Sequence, residues 1–308
     1  MPRPSLPQYE THPNVQSLGD MLSTFEDAGG NLSYAHNEYY ALQQPHSIAS
    51  KSAITHAAEN AARMAVERND STALILGAGA CSDIPVKHLA EIFDQTTIIE
   101  MDVDASRLAV SRLPHRLQTK VKIVQADMTG FLEPMTLAVS EATKQPQWAG
   151  FVTEFADRLN AIDATQTLPD FGDDRAFVCS HLVASQLANT PVTYADQVSQ
   201  DTYHQNLGHS SDNLDVLSAQ LLIQQFSTRA QLAHLDLLRR TVANTGIVHF
   251  ADTMFQVEDD TATPLVTTRI KDEIATRFDT IGQWHSWQWQ ATPQHTYAVS
   301  QIALMAKQ

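Results

Sequence analysis

The sequence predicts an α/β fold: a doubly wound, mostly parallel sheet of seven strands, with a C-terminal antiparallel hairpin and an N-terminal helical cap. Three observations support this. Apolar or β-branched runs alternate with helical patterns from about residue 70 to residue 250, which is typical of parallel strands joined by crossover helices. The run at 74–76 ends in a turn with two glycines, as a buried strand feeding a tight loop does. The last residues form two alternating runs around a proline turn, which predicts a hairpin.

Composition restricts the class of protein and its partners. The chain has 308 residues, is 43% hydrophobic and carries a formal net charge of -15. That charge disfavours binding to a nucleic-acid backbone, so small molecules, peptides or proteins are the expected substrates. The two cysteines, Cys81 and Cys179, are expected to be free thiols in a reducing compartment. Without a signal-peptide pattern or a membrane-length apolar run, the expected location is the cytoplasm, and the oligomeric state stays open.

The chain divides into two regions. Residues 1–69 are predicted to be an extension and helical cap, since proline and polar residues precede an amphipathic helix at 50–68. Residues 70–308 form the predicted α/β domain. Its further strands are expected at 97–101, 121–125, 175–179 and 247–250, and its helices at 85–93, 105–113, 134–143, 151–161, 217–243 and 268–281.

The loop after the first strand has the features of a ligand-binding turn. Gly77 and Gly79 can adopt backbone angles that other residues avoid, and they would allow a ligand to approach the main chain. Ser82 or Asp83 is expected to cap the following helix, whose first amides favour polar or anionic groups. The next strand leads to Asp102, about twenty residues past the glycines, where a carboxylate is well placed for the hydroxyls of a ribose.

These residues resemble the cofactor half of the class I S-adenosylmethionine (SAM) dependent methyltransferases over roughly residues 70–130. The resemblance implies that Gly77, Ala78 and Gly79 contact the methionine and ribose side of SAM. It assigns Asp102 to the ribose hydroxyls, with Glu100 as the competing choice. It also implies that Asp127 and Met128, which close the third strand, lie at the adenine.

Two other functions remain open, and so does a purely structural role for the turn glycines and helix-capping aspartates. An NAD-dependent oxidoreductase has a similar layered fold, but its fingerprint has a small residue, usually glycine, where this chain has Ser82. Such folds also generally lack the C-terminal hairpin. The second alternative is a module that binds SAM or S-adenosylhomocysteine (SAH) as a partner protein without turnover.

Ser180 and His181 close the fourth strand, next to the expected reversal of strand order. In the resembled family, residues at this position contact the methionine part of SAM or the substrate. Ser180 is therefore a predicted cofactor contact, and His181 is a candidate general base because an imidazole titrates near neutral pH. The alternative for His181 is a structural histidine.

Substrate contacts are expected from three places. Residues 190–215 look like an insertion that forms a substrate loop, with Tyr203 and His204 as contacts. In the resembled family, residues before such a helix often close over the cofactor, so Tyr39 and Tyr40 are candidate lid residues; the alternative is that they pack the cap against the core. Asp252 closes the fifth strand and is expected to face the substrate.

No metal site is predicted. Asp201, His204 and His209 are of ligand types, but their spacing matches no metal motif. The resemblance implies in-line displacement of the SAM methyl group by a nucleophile of a small-molecule or peptide/protein acceptor, and the acceptor atom stays open.

Overall fold

The computed structural model describes residues 6–15, 40–66, 71–162, 168–184, 187, 213–258, 261–265 and 270–307. Within these ranges, nine strands lie in one sheet: β1 (Glu10–Thr11), β2 (Thr72–Leu76), β3 (Gln95–Glu100), β4 (Val121–Gln125), β5 (Arg175–His181), β6 (Val242–Glu258), β7 (Thr261–Pro264), β8 (Phe278–Gln290) and β9 (Thr296–Ala306). The α-helices of the described segments are α1 (Tyr40–Ala65), α2 (Val86–Ile92), α3 (Val103–Ser111), α4 (His115–Gln118), α5 (Leu132–Ala142), α6 (Trp148–Ala161), α7 (Asn213–Thr241) and α8 (Ile270–Arg277).

The order of the strands confirms the predicted fold class. The sheet runs β1-β4-β3-β2-β5-β6-β9-β8, with β7 paired to β6. Strands β1 to β6 pair in parallel, whereas β9 is antiparallel to both β6 and β8 and lies between them. The C-terminal hairpin therefore enters the sheet as expected. The sheet has nine strands rather than seven because β1 and β7 are too short to leave an alternating pattern in the sequence.

Successive residues of the strands enter two separate cores, because side chains alternate across a sheet. Ile75 of β2 and Phe177 of β5 pack beneath α1 and α2. Leu74, Leu76 and Val178 pack on the opposite face against α7 and α8. A third cluster joins α5, α6 and α7. The sheet is thus covered on both faces, as parallel sheets require.

Several boundaries differ from the predicted ones. Helix α1 begins at Tyr40 instead of residue 50, because Pro45 and the polar residues of its first turns hide it from a hydrophobic pattern. Helix α8 ends at Arg277, and β8 begins at once, so the predicted helix at 268–281 was too long. Strand β6 extends beyond the predicted 247–250 on both sides, and its C-terminal part is held by pairing with β7 and β9.

The strand order reverses at β2, where a doubly wound sheet forms a crevice. Strand β2 lies between β3 and β5: β3 and β4 extend the sheet on one side of β2, and β5 and β6 extend it on the other side. Ligands of doubly wound sheets bind beyond the carboxyl ends of the strands at such a point. Helix α1 packs across β5, β6 and β8 on one side of this crevice. None of the described helices is sufficiently long and apolar to cross a membrane.

Candidate functional site

The glycine loop after β2 has the backbone geometry that brings a ligand close. Gly77 and Gly79 have φ angles of +66° and +48°, in the left-handed region that favours glycine. A Cβ at Gly77 would lie 2.7 Å from Cγ2 of Val183 and 3.6 Å from Cε of Met128, so this glycine is required by protein packing. A Cβ at Gly79 would meet nothing within 4 Å. The space at Gly79 is therefore open to a ligand.

Glu100, at the end of β3, holds the glycine loop in place. Its Oε2 accepts a hydrogen bond from the Gly79 N–H at 2.6 Å, and its Oε1 accepts one from the Met101 N–H at 2.8 Å. The Ser106 hydroxyl donates to the Gly79 carbonyl at 2.7 Å. Burial raises the pKa of Glu100, although these backbone amides favour its ionised form. Both Glu100 oxygens are engaged with the protein, and the choice between Asp102 and Glu100 as the ribose partner stays open.

Asp102 caps helix α3 and lies at the edge of the same crevice. Its Oδ1 accepts from the Asp104 N–H at 3.3 Å, and the side chain is half-buried. The predicted contact with ribose hydroxyls stays a prediction that this position allows.

Asp127 is more tightly engaged than the sequence indicated. Its Oδ1 accepts from the Thr129 N–H and hydroxyl at 2.8 and 2.7 Å, and its Oδ2 accepts from the Leu132 N–H at 3.0 Å. Burial raises its pKa, against the effect of these donors. Asn14 donates to the Asp127 carbonyl and accepts from its N–H. The carboxylate therefore organises the turn before α5, and its predicted contact with adenine stays a prediction.

Ser180 and His181 project to opposite faces of the sheet because they are neighbours on β5. The Ser180 hydroxyl lies 2.8 Å from Nε2 of His234 on α7, and both side chains are buried. Burial lowers the pKa of His234 to about 4. His181 lies on the α1 side of the sheet and is also buried. The predicted roles of Ser180 and His181 in ligand contact stay predictions.

A cluster of polar side chains surrounds His181 beneath the N-terminal half of α1. Its Nε2 lies 3.4 Å from Oδ2 of Asp83 in the glycine loop, and its Nδ1 lies 3.4 Å from Nε2 of His249 on β6. His46 of α1 places its Nε2 3.7 Å from the same Asp83 oxygen. The Trp287 Nε1–H of β8 donates to His46 Nδ1 at 2.9 Å. Five distant parts of the chain thus meet at one point, which we call the Asp83 cluster.

The charges in the Asp83 cluster follow from burial. Burial lowers the pKa of His181 to about 4, although the Asp83 charge acts in the opposite direction. Burial and the neighbouring His181 also place the pKa of His249 well below its usual value. Burial disfavours an ionised Asp83, but its contacts with His46 and His181 outweigh burial and lower the Asp83 pKa. At neutral pH the cluster therefore holds an ionised carboxylate beside neutral His181 and His249 rings.

The donor set of the Asp83 cluster also meets one requirement of a metal site. The ligand-type atoms of His46, Asp83 and His181 lie within 4.8 Å of one another. Trp287, however, has only a donor N–H, so His46 accepts at Nδ1 and carries its proton on Nε2, with no lone pair there for a metal. Metal-bound histidines instead donate from their second nitrogen. Asp201, His204 and His209, the metal-type residues noted in the sequence, lie outside the described residues.

The predicted substrate contacts are only partly visible. Tyr39, Tyr203 and His204 lie outside the described residues, as does nearly all of the insertion at 190–215. Tyr40 begins α1. Asp252 is buried, and its Oδ1 accepts from the Thr253 N–H at 2.7 Å, so its predicted contact with substrate stays a prediction.

Sequence reasoning missed most of the Asp83 cluster. The expectation that Ser82 or Asp83 caps α2 was wrong: Pro85 occupies the cap position, without a side-chain hydrogen bond. The Ser82 carbonyl instead accepts from the Ser47 hydroxyl at 2.5 Å, which ties α1 to the glycine loop. His46 and Trp287 gave no signal, because nothing in the local sequence links residues so far apart. Both cysteines are buried and free, and burial raises the pKa of Cys81 to about 12.

Comparisons with known proteins give matches only at the level of structure. No protein-family profile and no curated sequence matches the chain. Solved structures that resemble it include the N-methyltransferase NodS from Bradyrhizobium japonicum WM9 in complex with SAH, at 12% identity, a TM-score of 0.36, and coverage of 82% of this chain and 86% of that one.

Two further similar structures carry related descriptions. The glycopeptide N-methyltransferase MtfA complexed with SAH has 8% identity, a TM-score of 0.38, and coverage of 82% of this chain and 87% of that one. A TehB-like SAM-dependent methyltransferase from Corynebacterium glutamicum has 8% identity, a TM-score of 0.35, and coverage of 80% and 88%. The fold assignment rests on the strand order of the sheet itself, because similarity at this level does not define a reaction.

Proposed function

We propose that this chain, whose sheet has the topology of the class I SAM-dependent methyltransferases, binds SAM and transfers its methyl group to a small-molecule or peptide/protein acceptor. The observation that carries the proposal is the antiparallel strand β9 between β6 and β8, in a sheet whose strand order reverses beside a glycine loop. Dinucleotide-binding folds generally lack this insertion, so it favours SAM over NAD.

The residues at the crevice fit SAM. Gly79 leaves open space next to its backbone, where a side chain would stand in the way of a ligand. Asp102 caps α3 just after the end of β3 and is half-buried at the same edge of the sheet, a position suited to contact with ribose hydroxyls. Met128 approaches Gly77 and supplies an apolar surface beside the loop.

SAM, when bound, supplies a methyl group on a sulfonium, which is already a strong electrophile. The contribution of the chain is to orient the ligands and to exclude water. Helix α1 serves this purpose because it is tied to the glycine loop through Ser47 and to the hairpin through Gln43, whose Nε2 donates to the Ala291 carbonyl at 3.0 Å. His181, neutral at physiological pH, is the group we assign to accept a proton from an acceptor that arrives protonated.

A titration by isothermal calorimetry and thermal shift with SAM, SAH and NAD tests the proposal. We expect SAM and SAH to bind and NAD not to bind. A ligand at about a hundred times its dissociation constant stabilises the folded state by roughly 2.7 kcal/mol, which a melting curve resolves.

Asp102→Ala is the matched variant, and Asp94→Ala, which removes an exposed carboxylate at the opposite end of β3, is its control. We expect Asp102→Ala to weaken the binding of SAM by about tenfold or more, through loss of hydrogen bonds to the ribose. Asp94→Ala should leave the affinity for SAM unchanged. Binding of NAD alone would contradict the proposal. Release of SAH from SAM over a panel of acceptors then separates an enzyme from a binding module.

A further inference from the structure

Asp83 is more exposed than the imidazoles that it contacts. Its side chain is 19% exposed, whereas those of His46 and His181 are 5% and 0% exposed. His249 is buried behind His181. A ligand that enters the crevice therefore meets the Asp83 carboxylate first, with the imidazoles behind it.

The negative charge of Asp83 has no permanent positive partner in the described part of the chain. Its ion-pair contacts there are with two histidines, and no described Lys or Arg pairs with it. The Cys81 and Cys179 thiols interact with it electrostatically, but burial raises the pKa of both, so they stay protonated. Keeping a carboxylate ionised in a poorly solvated site costs free energy unless a positive charge lies next to it.

The position of Asp83 indicates where that positive charge comes from. It lies in the loop that contains Gly77 and Gly79, and its carboxylate contacts His181 at the end of β5. It thus spans the crevice between β2 and β5, the two strands on either side of the reversal in strand order. A ligand laid along the glycine loop and across this crevice passes the carboxylate.

We infer that Asp83 is a binding residue for a cationic group of the cofactor, either the α-ammonium or the sulfonium of SAM. The inference rests on the proposed function. His46 acts as a positioning residue: Trp287 donates to its Nδ1, which leaves its proton on Nε2, 3.4 Å from the Ser50 hydroxyl and 3.7 Å from the Asp83 carboxylate. His181 contacts the carboxylate from the other side, at 3.4 Å. The same proton arrangement argues against a metal ion as the occupant.

Calorimetric titrations with SAM, SAH and 5′-methylthioadenosine test this assignment. SAH keeps the ammonium but has no sulfonium, and 5′-methylthioadenosine has neither positive group. We expect Asp83→Asn to weaken the binding of SAM by about tenfold to a hundredfold, which is the loss typical of a charge-assisted contact. The affinity for 5′-methylthioadenosine should stay within about twofold of the wild-type value. An equal loss for SAM and SAH assigns the ammonium, and a loss for SAM alone assigns the sulfonium.

Asp94→Asn is the control, because it removes the same charge from an exposed position before β3. Unchanged affinities for SAM and SAH in Asp83→Asn would overturn the inference while leaving the proposed function intact. A wild-type protein that binds none of the three ligands would instead overturn the proposed function.

Two measurements on the wild-type protein keep the inference testable if the variant does not fold. The wild type should bind SAM, or both SAM and SAH, more tightly than 5′-methylthioadenosine, and equal affinity for all three would exclude a cationic subsite. Binding of one Zn²⁺ per chain that competes with SAM would assign the cluster to a metal and would also overturn the inference.

Discussion

The buried imidazole of His234 should make stability depend on pH in a way that one substitution removes. His234 lies in α7, is fully buried, and places Nε2 2.8 Å from the Ser180 hydroxyl. Its pKa falls from 6.5 to about 4 on folding because burial disfavours the charged ring. Between pH 6.5 and pH 4 the unfolded chain binds a proton at His234 that the folded chain does not bind. The contribution of His234 to the free energy of unfolding is therefore complete above the unfolded pKa and is lost as the pH falls toward the folded pKa.

The expected size follows from the two pKa values. At pH 5 most unfolded chains carry the His234 proton and few folded chains do. The free energy of unfolding should therefore be about 2 kcal/mol lower at pH 5 than at pH 7 because of this one ring. The variant His234→Gln cannot titrate and keeps a polar group near Ser180. We expect it to be about 1 kcal/mol less stable than wild type at pH 7, and more stable than wild type at pH 5.

Urea denaturation followed by circular dichroism at the two pH values measures the difference. His181 and His249 titrate in both proteins, so their contributions cancel when wild type and variant are compared. His115→Gln on α4 is the matched control because His115 is exposed in the folded chain. If wild type and His234→Gln lose the same free energy between pH 7 and pH 5, the argument from burial is wrong.

The glycines give two further predictions. Gly79→Ala should lower the free energy of unfolding by only about 1 kcal/mol, because of the positive φ at this position. It should nevertheless weaken SAM binding by about tenfold or more, because the new Cβ meets no protein atom and occupies the space open to the ligand. Gly77→Ala should lower the free energy of unfolding by about 2–4 kcal/mol, because its Cβ would also lie 2.7 Å from Val183. Urea denaturation measures both variants, and a larger loss of stability in Gly79→Ala than in Gly77→Ala would contradict this order. Gly246→Ala should lower the melting temperature strongly, because its Cβ would lie 2.5 Å from the Arg175 carbonyl oxygen, and backbone yields less than a side chain; wild-type melting would refute it.

The sequence alone determined the layered core and the glycine loop. The apolar run at 74–76 and the strands predicted at 97–101 and 121–125 correspond to β2, β3 and β4, because strands buried between two layers of helices require such side chains. Glycine at positions 77 and 79 is a local requirement of positive φ, and it needs no knowledge of the rest of the chain. The alternating C-terminal runs similarly predicted the hairpin that enters the sheet.

Tertiary structure decided what the polar residues of the site do. Alternation along β5 determines that Ser180 and His181 face opposite sides, but only packing shows that His234 meets one and Asp83 the other. His46, Asp83 and Trp287 lie far apart in the sequence and converge because α1 packs across the sheet beside β8. Local propensity carries no information about such convergence, because it arises from the packing of whole elements.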